Sequence, residues 1–236
     1  MINEMKPARV LALIPAHNES GRIAPVIDAV KAQLPVLVVD DGSSDNTSEV
    51  ARAHGAIVIR QEPNQGKGAA LLNGFRYFLG GEYDAVLTLD ADGQHDPAEI
   101  LLFVAKYEKD HADLIIGRRD FRKMPFPRNI SNTIGTWMFS NALKVHVPDN
   151  QSGYRLHSRR LVESAISSRE HGFEFEVEII FKCVLQGYRL DWFPIKTIYF
   201  KEKHTHIKPL HQVKEFFRIT KKARNLRHSM ENDKKD

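Results

Sequence analysis

The chain has 236 residues, 42% hydrophobic and 27% charged, enough to bury the core of one large domain rather than two small ones. Its single cysteine, Cys183, excludes an internal disulfide, and no run approaches the roughly 18 apolar residues of a membrane-crossing helix. Residues 201–236 hold 11 Lys/Arg against 5 Asp/Glu, whereas residues 1–200 hold 23 against 25, so the net +4 is a C-terminal surplus; without an aromatic-basic platform, this argues against a nucleic-acid-binding module.

In chain order, apolar β-branched runs at 10–14, 36–39, 57–59, 85–89 and 114–116 alternate with helical patterns at 25–34, 45–54, 69–79 and 98–109. This βαβ rhythm predicts an α/β fold with a Rossmann-like, mostly parallel central sheet flanked by helices. Its strands are apolar throughout because helices cover both faces. Beyond Arg119 the rhythm breaks at Pro125 and Pro127. Residues 129–143 then read as a helix, 148–153 as a turn, 174–186 as a helix, and 189–193 and 195–200 as strands. Cys183 falls in an apolar helical run, where an inert core thiol is expected.

The expected organisation is one catalytic domain over 1–228 that ends in a basic helix, with a polar tail at 229–236. The segment 213–224 mixes apolar and basic residues at nearly helical spacing. It either docks through Phe216 and Phe217 or lies on an anionic membrane surface. The expected location is cytoplasmic, peripheral at the inner face of the membrane if that segment binds lipid.

Ligands of parallel sheets gather at the carboxyl ends of the strands, and the polar clusters of this sequence fall there. After the fourth run, Asp90 and Asp92 are separated by one residue and can face the same side. Their mutual repulsion is relieved by a divalent cation, and hard oxygen donors suit Mg²⁺ or Mn²⁺ shared with substrate phosphates. Gln94 repeats the spacing and offers a third oxygen. Asp96 before Pro97 reads as a helix cap instead. After the second run come Asp40 and Asp41; Asp41 is the candidate for a nucleoside contact, and Asp40 for tying down backbone. The Gly66-Lys67-Gly68 loop opens a helix, with glycines that allow close approach and Lys67 as a charge for phosphate. It lacks the spacing of a Walker A motif. His204, His206 and His211 cluster, but without a second ligand pair they do not make a zinc site.

Taken in order, residues 15–19 (Pro-Ala-His-Asn-Glu), Asp40 to Thr47, Asn64 to Gly68, Asp90-Ala91-Asp92 with Gln94, Gly117-Arg118 and Ser152-Gly153-Tyr154-Arg155 resemble the family 2 inverting glycosyltransferases. The resemblance is strongest to the dolichyl- or polyprenyl-phosphate mannosyltransferase and glucosyltransferase branch. It implies a GT-A fold and transfer of a sugar from a nucleoside-diphosphate donor, with a lipid phosphate as acceptor. It also implies that Pro15, His17, Glu19 and Asp41 contact the nucleotide, that Asp90, Asp92 and Gln94 bind the metal, and that Arg118 and Arg155 face phosphate. The family usually carries an aromatic residue where His17 stands.

Such a displacement needs a stabilised diphosphate leaving group, for which Asp92 and the metal, with Arg118 or Lys208, are the candidates. A phosphate acceptor, with a second pKa of about 6, needs no protein base. A hydroxyl acceptor does, and Asp149 is the candidate. The alternative enzyme class is a sugar-phosphate nucleotidyltransferase, although the expected Gly-rich basic loop after the first strand is missing.

Overall fold

The structure is a computed structural model that describes residues 7–124, 128–196, 198, 218, 221 and 224. The first half follows the apolar runs. Strands β1 (Val10–Ala16), β2 (Val36–Asp41), β3 (Ile57–Gln61), β4 (Ala85–Thr88) and β5 (Leu114–Arg118) alternate with helices α1 (Ile23–Lys31), α2 (Thr47–Ala53), α3 (Lys67–Gly80) and α4 (Ile100–Asp110). Within β1 the period-two alternation sorts the core into two layers. Leu11 and Leu13 join Phe75, Phe78, Phe175 and Ile180 on one face, while Val10, Ala12 and Ile14 join Ile23, Ile27 and Phe103 on the other. Each fully buried large apolar side chain contributes about 1.5–3 kcal/mol. Helix α3 crosses β1 closely at Gly74, where a Cβ would lie 2.3 Å from Leu13 Cδ1.

The second half contains α5 (Arg128–Leu143), β6 (Arg155–Ser158), α6 (Arg159–Ala165), α7 (Glu174–Leu185) and β7 (Leu190–Pro194). The sheet order is β3-β2-β1-β4-β6-β5-β7, and β6 runs antiparallel to both of its neighbours. Neither β6 nor α6 is signalled by the sequence pattern, because a four-residue Arg-Leu-His-Ser strand is too short and too polar to show a period. The predicted second strand at 195–200 is not formed at Ile195, Lys196 or Ile198; residues 197, 199 and 200 lie outside the described residues.

Two features of this topology position the site. First, the chain leaves β1 toward β2 on one side and returns to β4 on the other, so β1 and β4 flank a topological switch point, where a crevice opens. Second, the reversal of β6 brings the residues just before it, 152–154, to the same edge as the carboxyl ends of β1, β2, β4 and β5. At the opposite edge Asp113 pins the far strands, accepting hydrogen bonds from the Arg189 N–H at 2.9 Å and Ser158 Oγ at 2.8 Å and pairing with Arg160. Burial alone would raise the Asp113 pKa, but these donors hold it below the usual carboxylate value.

Candidate active site

Asp90 follows β4, and Ala91 beyond it is buried. The Asp90 N–H donates to His95 Nδ1 at 3.0 Å, and its Oδ1 accepts from Lys67 Nζ at 2.7 Å. Burial disfavours the Asp90 charge, yet the Lys67 ammonium beside it holds its pKa far below the usual range. Burial takes the His95 pKa down to about 4 against the pull of Asp90, so the ring is neutral. With Nδ1 accepting, its proton sits on Nε2, 3.7 Å from Asp90 Oδ2. The ring stacks on Tyr154 at 4.8 Å between centroids, and the Tyr154 hydroxyl donates to the Asp96 carbonyl at 3.2 Å.

Lys67, the first residue of α3, also reaches Glu176 of α7 at 3.1 Å and lies 5.5 Å from the Phe173 ring centroid. Burial works against its charge, but the two carboxylates more than compensate and raise its pKa. Gly153 closes this pocket from the β6 side. A Cβ there would fall 2.9 Å from each Asp90 carboxylate oxygen and 3.0 Å from Lys67 Nζ.

Asp92 is in a different position. Its Oδ1 accepts the Gln94 N–H at 2.9 Å, but burial and the neighbouring Asp90 charge raise its pKa. Across the crevice, Glu19 is likewise raised, by burial and in part by Asp92, although Arg22 pairs with it at 2.9 Å. The Asp92 side of the crevice is short of positive charge.

The acidic loop after β2 is internally committed. Asp40, 0% exposed, accepts the Ser43 N–H at 2.9 Å and the Ser48 hydroxyl, and Arg60 Nη1 lies 3.4 Å away. It ties down backbone. Asp41 accepts from Gln61 Nε2 at 2.5 Å and from the Gln65 and Gly66 N–H groups at 2.7 and 2.8 Å, which clamps the start of α3 to the end of β2. His17 Nδ1 lies 2.9 Å from the Asp41 carbonyl oxygen and 3.1 Å from Asn64 Nδ2. The Glu19 N–H donates to Thr47 Oγ1 at 2.8 Å. Pro15 sits in β1 opposite Val39. These residues therefore share one corner, between the ends of β1 and β2.

Several expectations are corrected. Arg155 does not face a phosphate: it is 0% exposed and spends its guanidinium on the Ser152, Asn150 and Glu176 carbonyls. Asp149 is not placed as a base, since it too is 0% exposed. Arg119 pairs bidentately with it at 2.8 and 2.9 Å, and the Gln151 and Ser152 N–H groups fill the remaining valence. Together the two side chains freeze the 149–155 turn. What approaches the Gly66-Lys67-Gly68 loop is the chain's own backbone. The Ala69 N–H donates to the His171 carbonyl at 3.1 Å, and a Cβ on Gly66 or Gly68 would strike the 171–172 carbonyls at 2.6 Å. Only the Lys67 side chain remains turned to the crevice chemistry.

Arg118 is exposed at the end of β5, and no described side chain hydrogen-bonds its guanidinium. Gln94 is half-buried, and its carbonyl accepts the Ile198 N–H at 3.1 Å. Lys208 and the histidines at 204, 206 and 211 lie outside the described residues, as does most of 213–224, where Arg218 is helical and pairs with Glu170 at 2.6 Å. Sequence reasoning missed His95, Glu176 and Arg119. His95 had a signal, its place in the same short acidic loop as Asp90; Glu176 and Arg119 meet their partners only through the fold.

Among the described residues no three His, Cys, Asp or Glu side chains converge as a self-sufficient metal cage. Asp90 and Asp92 are instead an oxygen pair with unmet charge at Asp92. This suits a hard divalent cation that completes its shell with substrate phosphates and water, and Gln94 is the third oxygen nearby in sequence.

The model of glycosyl transferase family 2 matches residues 12–167, which span β1 through α6 and so include the crevice and both of its walls. The chain belongs to glycosyl transferase family 2. It is 30% identical to a polyprenol monophosphomannose synthase of Mycolicibacterium smegmatis, over 79% of this chain and 76% of that one. It is also 30% identical to an undecaprenyl-phosphate mannosyltransferase of Micrococcus luteus, over 79% and 82%. A solved glucosyl-3-phosphoglycerate synthase of Mycobacterium tuberculosis, in complex with Mn²⁺, UDP-glucose and phosphoglyceric acid, superposes with a TM-score of 0.69 at 20% identity, over 92% of this chain and 79% of that one. The sheet is thus the GT-A fold of a family 2 glycosyltransferase, and membership displaces the nucleotidyltransferase alternative.

Proposed function

We propose that this glycosyltransferase moves a sugar, with inversion, from a nucleoside diphosphate to a polyprenyl phosphate, using Mg²⁺ or Mn²⁺ held by Asp90, Asp92 and Gln94. The observation that carries the reading is the Asp90–Asp92 pair at the switch point, with Asp92 left uncompensated. The bound cation would supply Lewis-acid stabilisation of the departing diphosphate. Pro15, His17 and Glu19 form the nucleoside corner, whose shape Asp41 holds from below, its carboxylate oxygens being taken by Gln61 and the Gln65 and Gly66 N–H groups; Lys67 and Arg118 bring positive charge to the phosphates. Neutral His95 orients Asp90 by hydrogen bonding its backbone and facing its carboxylate.

The acceptor assignment is supported by the relatives that act on polyprenyl phosphates and by the state of Asp149. With both of its oxygens committed, the base candidate for a hydroxyl acceptor is withdrawn, whereas a phosphate monoester arrives already ionised.

The test is Asp92→Asn, assayed with a panel of nucleoside-diphosphate sugars, a short-chain polyprenyl phosphate and Mn²⁺. Turnover should fall by at least about a hundredfold, while thermal stability is unchanged or slightly raised. Wild-type turnover by this variant in excess chelator would refute the metal role. For the wild-type enzyme, a rate that rises with pH around the second phosphate pKa of about 6 supports the phosphate acceptor, and transfer to hydroxyl glycans alone would refute it.

A further inference from the structure

Lys67 stands where a helix least favours a cation. It is the first residue of α3, the end at which the helix dipole attracts negative charge, and its side chain is only 19% exposed. The glycine loop gives the charge no task, because the backbone at 171–172 already closes on that loop. What holds the ammonium is a pair of carboxylates from two distant elements. Asp90 Oδ1 lies 2.7 Å from Nζ, and Glu176 Oε2 lies 3.1 Å from it.

Glu176 is placed still more deeply. It belongs to the first turn of α7 and is 6% exposed. Its backbone carbonyl accepts from Arg155 Nη1, so the turn before β6 fixes its position through that guanidinium. A carboxylate buried to this extent is unfavourable without a cation, and among the described residues Lys67 is the one that pairs with it.

The sharing of one lysine between two acids matters because of Asp90. An ammonium held by Asp90 alone would neutralise it, and Asp92 would then face a divalent cation with a single negative charge. With Glu176 present, two acids stand against one base, and the group Asp90, Lys67 and Glu176 carries −1. Asp90 thereby keeps its weight toward a cation beside Asp92. Of the three N–H donors of an ammonium, two are met by the carboxylates, which leaves one for a diphosphate oxygen.

We infer that Glu176 is a positioning residue that sets the charge of the cation site through Lys67. It shares the ammonium with Asp90, so that Asp90 stays available to the divalent cation while Lys67 stays in place for the diphosphate. The inference rests on the metal reading proposed above.

The experiment measures Mn²⁺ binding to the full chain, without donor or acceptor, from the electron paramagnetic resonance signal of free Mn²⁺. Glu176→Gln, of nearly the same shape, should weaken binding about tenfold, because Lys67 then neutralises Asp90 alone. Lys67→Met removes the competing ammonium and should strengthen binding about tenfold. The double variant has the same total charge as wild type. Its Mn²⁺ affinity should return to within about threefold of wild type, while turnover stays low because no ammonium meets the diphosphate. A purely structural pair would not move the two single variants in opposite directions.

Unchanged Mn²⁺ affinity in Glu176→Gln overturns the inference, as does an affinity that falls in all three variants in step with their melting temperatures. Where Glu176→Gln does not fold, the double variant decides, and Mn²⁺ binding far below wild type overturns the inference. Asp92→Asn separates this inference from the metal reading. If it loses Mn²⁺ while Glu176→Gln keeps wild-type affinity, the role of Glu176 alone fails; if it keeps Mn²⁺, the metal reading fails and the role of Glu176 with it.

Discussion

Two acidic corners of the molecule, both containing residues that stand out in the sequence, have opposite characters. At the end of β4, Asp90 shares a lysine with Glu176 and Asp92 keeps a carboxyl that its surroundings do not neutralise. Some sixty residues later, Asp149 and Arg155 are fully buried, and both Asp149 oxygens and all three Arg155 guanidinium nitrogens are hydrogen-bonded to the protein itself. The difference separates groups that hold the site's shape from groups left with charge to give to a ligand. Both kinds look alike in a sequence, because scaffolding a turn and gripping a cation call for the same residue types.

The comparison breaks first at Asp149. Asp149→Ala leaves Arg119 facing an empty buried site, and loss of one partner of such a pair costs about 3–5 kcal/mol. Chemical denaturation should show this loss, and activity should fall only with the folded fraction. A variant that stays fully stable but cannot transfer to a hydroxyl acceptor would return Asp149 to catalysis.

The scaffold corner also has a pH signature. Burial, and then the Arg155 charge, depress the His157 pKa to about 3, whereas an unfolded histidine titrates near 6.5. The unfolded chain therefore binds the extra proton as pH falls below about 6.5, and the folded state loses stability from there downward. By pH 5 the loss from this group is about 2 kcal/mol. His157→Phe, which keeps the edge-on contact with Phe75 at 5.3 Å, should flatten the slope between pH 7 and 5 in urea melts. An unchanged slope would mean that the histidine is protonated in the fold.

The two corners touch at Gly153, and here the comparison can be sharpened. Gly153→Ala places a methyl against both Asp90 oxygens and the Lys67 ammonium. Because only side-chain ends need to shift, stability should change little, while turnover falls on the order of tenfold through misplacement of Asp90. Equal losses of stability and turnover would make this contact structural only. At the bottom of the scale lies Cys183. Burial pushes its thiol up to about 12, so alkylating reagent at neutral pH should leave native activity untouched; rapid inactivation would place a reactive thiol in the enzyme.

Legibility followed distance along the chain. The five strands of the first half were readable because each is a local apolar run, and the crevice because ligands meet parallel sheets at the carboxyl ends of strands. Asp90, Asp92, Asp41 and Lys67 all arrived at that edge for the same reason. Arg155 was readable as a motif member but not as a buried clamp, since its three carbonyl partners come from the turn before β6 and from α7. Glu176 gave no signal, being 109 positions from Lys67.

By itself the sequence determined the parallel half of the sheet, the family signature and the identity of the acids at strand ends, because hydrophobic period and short motifs are local properties. Only the tertiary structure decided that β6 reverses, that the backbone at 171–172 covers the glycine loop, and that Glu176 meets Lys67. It also decided which carboxylates keep uncompensated charge. Burial and pairing are set by neighbours that the chain brings together from far apart, and the free energy of a charge depends on those neighbours rather than on its own position in the sequence.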